Sequence, residues 1–236
     1  MSAMIVKCIW EHNGNDTLLY AWAFPGAFTR GESRETALGK MPAEMNSYLK
    51  WCNKAAPDII VPQIIQEHSS ELNISDADTD VIFESEKHPL SEEEYFKLKA
   101  IALKSAKDFQ KLYESIPDKN ISCLPARRTF YGDVPRTAFE MYEHTKNVND
   151  YYFGEIGVYT DNAGTIFECR KKGFDLLEDS ENYLNNRVFN GSYNEQWSLR
   201  KVLRRFIWHD RIHAKAMYKM ARKTFGENSV ENVFGF

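Results

Sequence analysis

The sequence predicts an α+β domain followed by an all-α four-helix bundle. Short β-rich runs separated by turn residues dominate the first part of the chain, and from residue 91 onward apolar residues recur at helical spacing. The pattern changes near residues 86–90, so we expect an N-terminal domain over 1–88 and a helical domain over 89–236.

The N-terminal segment predicts a hairpin, a helix and two further strands. The runs AMIVKCIW and TLLYAWAF flank an Asn-Gly turn, as the strands of a β-hairpin do. Ser33 is the expected N-cap of a helix that reaches about Asn53, with Pro42 perturbing or splitting it. The runs DIIVPQIIQEH and DTDVIFES predict the two further strands.

The second segment predicts four long helices. The first begins at a capping box formed by Ser91 and Glu94 and ends before Pro117. Pro135 stands where the first residue of the second helix is expected. The four predicted ranges are 91–116, 135–156, 162–185 and 198–225. Four such helices joined by connecting loops are typical of a bundle.

Composition limits the classes of function. The chain has 236 residues and a net charge of -4, so bulk charge identifies no partner. The lysines and arginines of the last helix lack the signature of an aromatic-interleaved groove, and the protein as a whole is acidic, so we do not expect nucleic-acid binding. No apolar run is long enough for a membrane span, and the N-terminus shows no secretory signal. The four scattered cysteines fit reduced thiols, and we expect a cytoplasmic protein.

Two histidines lie four residues apart in the last predicted helix. His209 and His213 share its inner stripe, whereas the lysines and arginines are expected on the opposite, solvated face. His144 lies at the edge of the inner stripe of the second helix. Because positions i and i+4 are neighbours on a helix, the three imidazoles can meet on one divalent ion. Three core histidines held by hydrogen bonds are the alternative. The other histidines, interpreted as surface residues, are His12, His68 and His88.

Two stretches resemble a known family. The runs WSLRKVLRRFIWHDRIHAKAM and VPRTAFEMYEHTKNVNDYYFGEIG are similar to the fourth and second helices of the DinB-like superfamily, over about residues 90–225. The resemblance implies a four-helix bundle with a divalent metal (Zn, Ni, Fe or Mn) on His144, His209 and His213. The superfamily includes S-transferases and a maleylpyruvate isomerase that use mycothiol or bacillithiol, so a low-molecular-weight thiol is an implied cofactor.

The N-terminal run YAWAFPGAFTRGESRETALGKMPAEM is similar to the HicB-like fold. HicB proteins are antitoxins that usually carry a DNA-binding tail. No such tail follows here, so we interpret the segment as an accessory domain.

Two functions are open from the sequence. The first is a metal-dependent enzyme, a thiol S-transferase or a hydrolase, that acts on a small-molecule substrate. Glu140 and Asp210 are candidates to orient a histidine or to carry a proton, although a solvated carboxylate is the preferred interpretation of Asp210. Candidates to line the pocket or bind an anionic cofactor are Tyr151, Tyr152, Arg204, Arg205 and Trp208. The alternative function is a non-enzymatic protein-interaction module, and either function is compatible with a homodimer.

Overall fold

The protein is a mixed α+β structure, as the sequence predicts. The computed structural model describes residues 2–76, 78–129 and 132–236. A four-stranded sheet with one helix comes first, and five helices follow it. Among the described residues, no helix combines the length and the apolar character that a membrane span requires.

The N-terminal sheet has the strand order β3-β2-β1-β4. Its elements are β1 Ala3–Asn13, β2 Asp16–Ala21, β3 Phe28–Gly31, α1 Arg34–Trp51 and β4 Ile59–Ser69. β1, β2 and β3 pair antiparallel, whereas β4 pairs parallel to β1 after the crossover through α1. Gly14 adopts the left-handed conformation in the β1–β2 turn, with φ of 59°. The predicted hairpin and the predicted strand over β4 are therefore confirmed.

The second part of the chain is mostly helical. Its helices are α2 Glu92–Ser115, α3 Ala138–Lys146, α4 Asn149–Gly154, α5 Ile166–Glu178 and α6 Leu199–Phe225. Two short strand pairs join them, β5 Arg128–Thr129 with β6 Gly132–Asp133, and β7 Phe189–Asn190 with β8 Gln196–Trp197. The capping box of Ser91 and Glu94 and the N-cap at Ser198 confirm where α2 and α6 begin.

Three predicted helices differ from the observed ones. The single helix predicted over 135–156 is wrong, because Thr137 caps α3 and a turn at residues 147–148 separates α3 from α4. The helix predicted over 162–185 is shorter, because Thr165 caps α5 and Asp179 ends it. The break expected at Pro42 does not occur, and α1 continues through it with buried residues on both sides.

The strand predicted from DTDVIFES is also wrong. Residues 79–83 form no ladder with the sheet, and a 3-10 turn follows at Glu84–Lys87. The backbone carbonyls of residues 79–81 instead accept hydrogen bonds of 2.8–3.0 Å from side chains of α6. The donors are Lys201, Arg204 and Arg205. The Glu11 carboxylate accepts the N–H groups of residues 80 and 81. Side chains therefore satisfy the polar groups that a neighbouring strand would otherwise pair.

Helix α6 is covered on both faces. The histidine-bearing face lies against the other helices, and the opposite face lies against the sheet, where Trp208 packs with Leu18, Tyr20 and Phe28. The predicted solvation of the basic face is therefore wrong for four residues. These buried cations are Lys201, Arg204, Arg205 and Arg211. The sequence pattern changes near residue 88. Helix α6 contacts the chain on both sides of this position, so a domain boundary there stays a prediction.

Gly173 in α5 lies directly against the ring of Phe153. A Cβ at Gly173 would be 2.1 Å from Cε2 of Phe153, which is fully buried. We therefore expect Gly173→Ala to lower the free energy of unfolding by about 1–3 kcal/mol through overpacking, although alanine favours helix by about 1 kcal/mol over glycine. The matched control is Gly39→Ala in α1, where a Cβ meets nothing within 4 Å. Urea unfolding should show that Gly39→Ala stabilises the protein and that Gly173→Ala does not. Stabilisation by both substitutions would contradict the close packing of Gly173 against Phe153.

Candidate metal centre

Three histidines converge between α3 and α6. His144 comes from α3, and His209 and His213 come from successive turns of α6. The ring centroids are 5.2 Å apart for His144 and His209, 4.7 Å for His144 and His213, and 4.5 Å for His209 and His213. One nitrogen from each ring lies within 4.8 Å of the others. Nitrogens around one tetrahedral zinc ion are about 3.4 Å apart, so small ring rotations would bring them to ligand distance.

The environment keeps the three rings neutral. Burial lowers the pKa of His209 well below its ordinary value, and the His213 and His144 rings lower it further. Burial and the neighbouring His144 lower the pKa of His213 to about 3. The His144 residue is exposed, yet the atoms packed around its ring still lower its pKa through burial. At neutral pH each imidazole therefore offers a lone pair.

One ring nitrogen of His209 is available to bind a ligand. Nδ1 of His209 is buried and has no hydrogen-bond partner among the described residues. Among the described residues, the histidines that form ion pairs with carboxylates are His12 and His68, and none of the three rings at the centre does so. A buried polar atom without a partner is costly, and a metal ion would remove that cost. The donor set of three imidazoles fits a divalent transition ion that keeps an open coordination position.

Aromatic rings line the buried side of the centre. The Tyr152 ring lies 6.0 Å from the His209 ring and the Trp208 ring lies 6.4 Å from it. Tyr151 is partly exposed and contacts Trp197 at 5.9 Å between ring centroids. The structure therefore places Tyr152 beside His209, whereas Trp208 packs against the sheet and Tyr151 packs against Trp197.

Glu140 caps α3 and does not reach His144. Its Oε2 atom accepts the backbone N–H groups of Arg136 at 2.8 Å and Thr137 at 3.0 Å. These backbone hydrogen bonds lower the pKa of the Glu140 carboxyl. The Glu140 carboxylate is therefore bound to backbone N–H groups at the N-terminus of α3, and Glu140 is a capping residue.

Asp210 is fully buried, so its interpretation as a solvated carboxylate is wrong. Its two oxygens bind the guanidinium of Arg170 on α5, at 2.5 Å and 3.0 Å. Both side chains are completely inaccessible to solvent. Asp210 therefore joins α6 to α5 through a buried ion pair with Arg170.

Arg204 is committed to another buried ion pair. Its Nε and Nη2 atoms bind the Glu86 carboxylate at 2.5 Å and 3.0 Å, and Nη2 also donates to the Val81 carbonyl. Phe83 covers the guanidinium at 4.0 Å. The predicted role of Arg204 in binding an anionic cofactor is therefore not available in this structure.

The sequence reasoning missed a second cluster of polar side chains. Glu11, His68 and Asp80 also bring one ligand atom each within 4.8 Å. However, Glu11 accepts hydrogen bonds from Tyr20 and Thr79, and His68 lies 2.9 Å from Asp80. His88 is exposed as predicted, whereas the half-buried residues are His12 and His68. Because its atoms already have partners, this cluster is a weaker candidate for a metal than the three free imidazoles.

A cavity of about 280 Å³ lies away from the histidines. Its lining comes from residues 156–158, 180–183 and 185–187 together with Leu177, Phe189 and Leu199, and none of the three histidines contributes. Its walls bring together no group of histidines, cysteines or carboxylates that could hold a metal among the described residues. This cavity is therefore separate from the candidate metal centre.

Comparison with known proteins adds no relative. No protein-family model, no curated protein and no solved structure matches this chain. The resemblances to the DinB-like and HicB-like families stay predictions that depend on the quoted sequence runs.

Proposed function

We propose that the protein is a divalent-metal-dependent enzyme with His144, His209 and His213 as its metal ligands. The observation that carries the proposal is the convergence of three neutral imidazoles whose ligand atoms lie within 4.8 Å of one another. The sequence resemblance of α3 and α6 to the metal-binding helices of the DinB-like superfamily supports it. Under this proposal α2–α6 form a DinB-like bundle.

The reaction that we propose is thiol S-transfer or hydrolysis on a small molecule. A bound divalent ion would supply Lewis acidity that lowers the pKa of a thiol or of water at its open position. The exposed His144 leaves the centre accessible from solvent, whereas the buried His209 closes its inner side. The Tyr152 ring lies beside His209 on that inner side.

Metal content tests the proposal directly. We expect the purified chain to carry one ion, and the metal-free chain to gain thermal stability from Zn²⁺, Ni²⁺ or Mn²⁺. At an ion concentration of 100 times Kd the gain is about 2.7 kcal/mol, or roughly 5–10 °C for a chain of this size. The His144→Ala variant changes an exposed ring and should fold, yet lose both the ion and the gain.

Two matched variants control the metal experiment. His88→Ala removes an exposed histidine away from the centre, and His68→Ala removes the histidine of the second cluster. Both should keep the ion. A wild-type chain without stoichiometric metal and without metal-induced stabilisation would refute the proposal, as would full metal content in His144→Ala. In the cobalt-substituted chain, a thiolate-to-cobalt charge-transfer band on addition of 2-mercaptoethanol would favour S-transfer over hydrolysis.

A further inference from the structure

Arg205 is a buried cation without an ion pair. It lies on α6 one turn before His209 and is 9% exposed. Nη1 donates to the Thr79 carbonyl at 2.9 Å, whereas Nε is buried and has no hydrogen-bond partner. The guanidinium also interacts with the Tyr152 hydroxyl. Since a guanidinium offers five N–H donors, part of the hydrogen-bonding capacity of Arg205 is unused.

The cations next to Arg205 on α6 already form ion pairs with nearby carboxylates. Arg204 binds Glu86, and Lys201 lies 2.8 Å from Glu195. Burial lowers the pKa of Lys201 to about 8, so Lys201 is still a cation at neutral pH. Among the described carboxylates, none forms an ion pair with Arg205, although Glu195 acts on it at longer range. Burying a charge without a counter-ion is costly, so the buried positive charge of Arg205 is unfavourable in the absence of an anion.

Aromatic rings surround the guanidinium of Arg205. The rings of Tyr152, Trp197 and Trp208 lie 5.4 Å, 5.4 Å and 5.2 Å from its central carbon. Ring faces attract a cation but do not replace hydrogen-bond acceptors for its in-plane N–H groups. The indole Nε1 atoms of Trp197 and Trp208 are buried without partners as well. The surroundings of Arg205 therefore contain several donors without hydrogen-bond partners.

The same side chains connect Arg205 to the candidate metal centre. Tyr152 and Trp208 each contact both Arg205 and His209. Because positions i and i+4 are neighbours on a helix, a ligand that lies beside His209 would be close to the unpaired Nε–H group of Arg205. The Nε–H edge of a guanidinium matches the two oxygens of a carboxylate, and a carboxylate would supply the counter-ion that Arg205 lacks among the described residues.

We propose that Arg205 binds a carboxylate of the small molecule that reacts at the metal centre. The assignment of this carboxylate to a reactant rests on the proposed function, whereas anion binding at Arg205 does not require the metal. The proposal replaces Arg204, which Glu86 neutralises, by Arg205 as the residue that recognises an anionic ligand.

Nuclear magnetic resonance of the side-chain N–H groups tests the proposal. Propionate is added to the metal-free and the zinc-loaded full chain at constant ionic strength. The Nε–H signal of Arg205, identified by its absence in Arg205→Met, should shift and saturate, and Arg205→Met should bind propionate at least tenfold more weakly. The indole signals of Trp22 and Trp51 should stay in place, because Ser85 and Asp108 already accept their hydrogen bonds.

Three ligands distinguish the source of the carboxylate. Propionate carries only the carboxylate, 2-mercaptoethanol only the thiol, and 3-mercaptopropionate both. Tighter binding of 3-mercaptopropionate than of the other two to the zinc-loaded chain assigns the carboxylate to the thiol, whereas binding no tighter than propionate assigns it to the second reactant. Arg128→Met, which changes an exposed arginine, should bind propionate as the wild type does.

The possible failures are separable. If propionate binds through Arg205 but His144→Ala and wild type are equally metal-free, the proposed function fails and the anion site stands. If metal binds but the Arg205 signal shows no saturable shift with propionate, the anion site is refuted. Equal propionate affinity of Arg205→Met and wild type refutes it too.

Discussion

Asp210→Asn is expected to lower the free energy of unfolding by about 3–5 kcal/mol. The substitution keeps the shape of the side chain but removes the negative charge that faces Arg170. Both side chains are completely buried, and the guanidinium has no other carboxylate partner among the described residues. The Arg170 charge would then remain in an apolar environment over the Phe206 ring, which lies 4.2 Å away. For a chain of this size the melting temperature should fall by roughly 6–20 °C.

Two further variants identify the cause of this loss. Asp175→Asn removes the partner of Lys171 in an exposed pair on α5 and should change stability by at most about 0.5 kcal/mol. The double variant Arg170→Met/Asp210→Leu removes both buried charges and should recover most of the stability, because no charge is left without a partner. Urea unfolding measures all three. An Asp210→Asn variant as stable as Asp175→Asn would show that Asp210 is solvated, as the sequence alone suggested.

Arg204→Met is expected to destabilise the protein by about 3–5 kcal/mol, whereas Arg205→Met should change stability by about 1 kcal/mol or less in either direction. The two arginines are neighbours on α6, and both are buried. Arg204 neutralises Glu86, which would be left as a buried unpaired carboxylate. Arg205 has no such partner, so its removal loses ring contacts and one hydrogen bond but also removes an uncompensated buried charge.

Chemical unfolding in a buffer without carboxylates measures this difference. The double variant Arg204→Met/Glu86→Leu should regain most of the stability that Arg204→Met loses. Equal destabilisation by Arg204→Met and Arg205→Met would mean that Arg205 has a structural counter-ion, and it would weaken the case for a ligand there. Stability close to wild type in Arg205→Met would support the anion site.

Local signals predicted the elements that depend on nearby residues. The predicted caps at Ser33 and Ser91 are correct, because a cap depends on hydrogen bonds within a few residues, and α6 begins next to Ser198, as predicted. The hairpin between β1 and β2 follows from its Asn-Gly turn and flanking β-rich runs. Helix ends were predicted less well where several nearby residues can begin or end a helix. Around Thr137 and Thr165 the sequence predicted longer helices than the protein forms.

The inward direction of the histidines was also readable from the sequence. His209 and His213 share one face of α6 because four residues are about one helical turn, and this holds whatever the helix packs against. Their meeting with His144 requires α3 to lie beside α6, which spacing within either helix does not determine. The sequence therefore predicted which faces the three side chains occupy, and the packing of two helices brought them together.

The sequence by itself determined the class of fold, the main helices and strands, and the candidate histidines. Only the tertiary structure decided the role of the charges on α6. A helical pattern distinguishes an apolar face from a polar one, but it does not reveal a second layer over the polar face. Here the N-terminal sheet and residues 79–86 cover that face and supply carbonyl oxygens and carboxylates from positions more than a hundred residues away. Partners so distant in sequence leave no local signal, because chain folding alone brings them into contact.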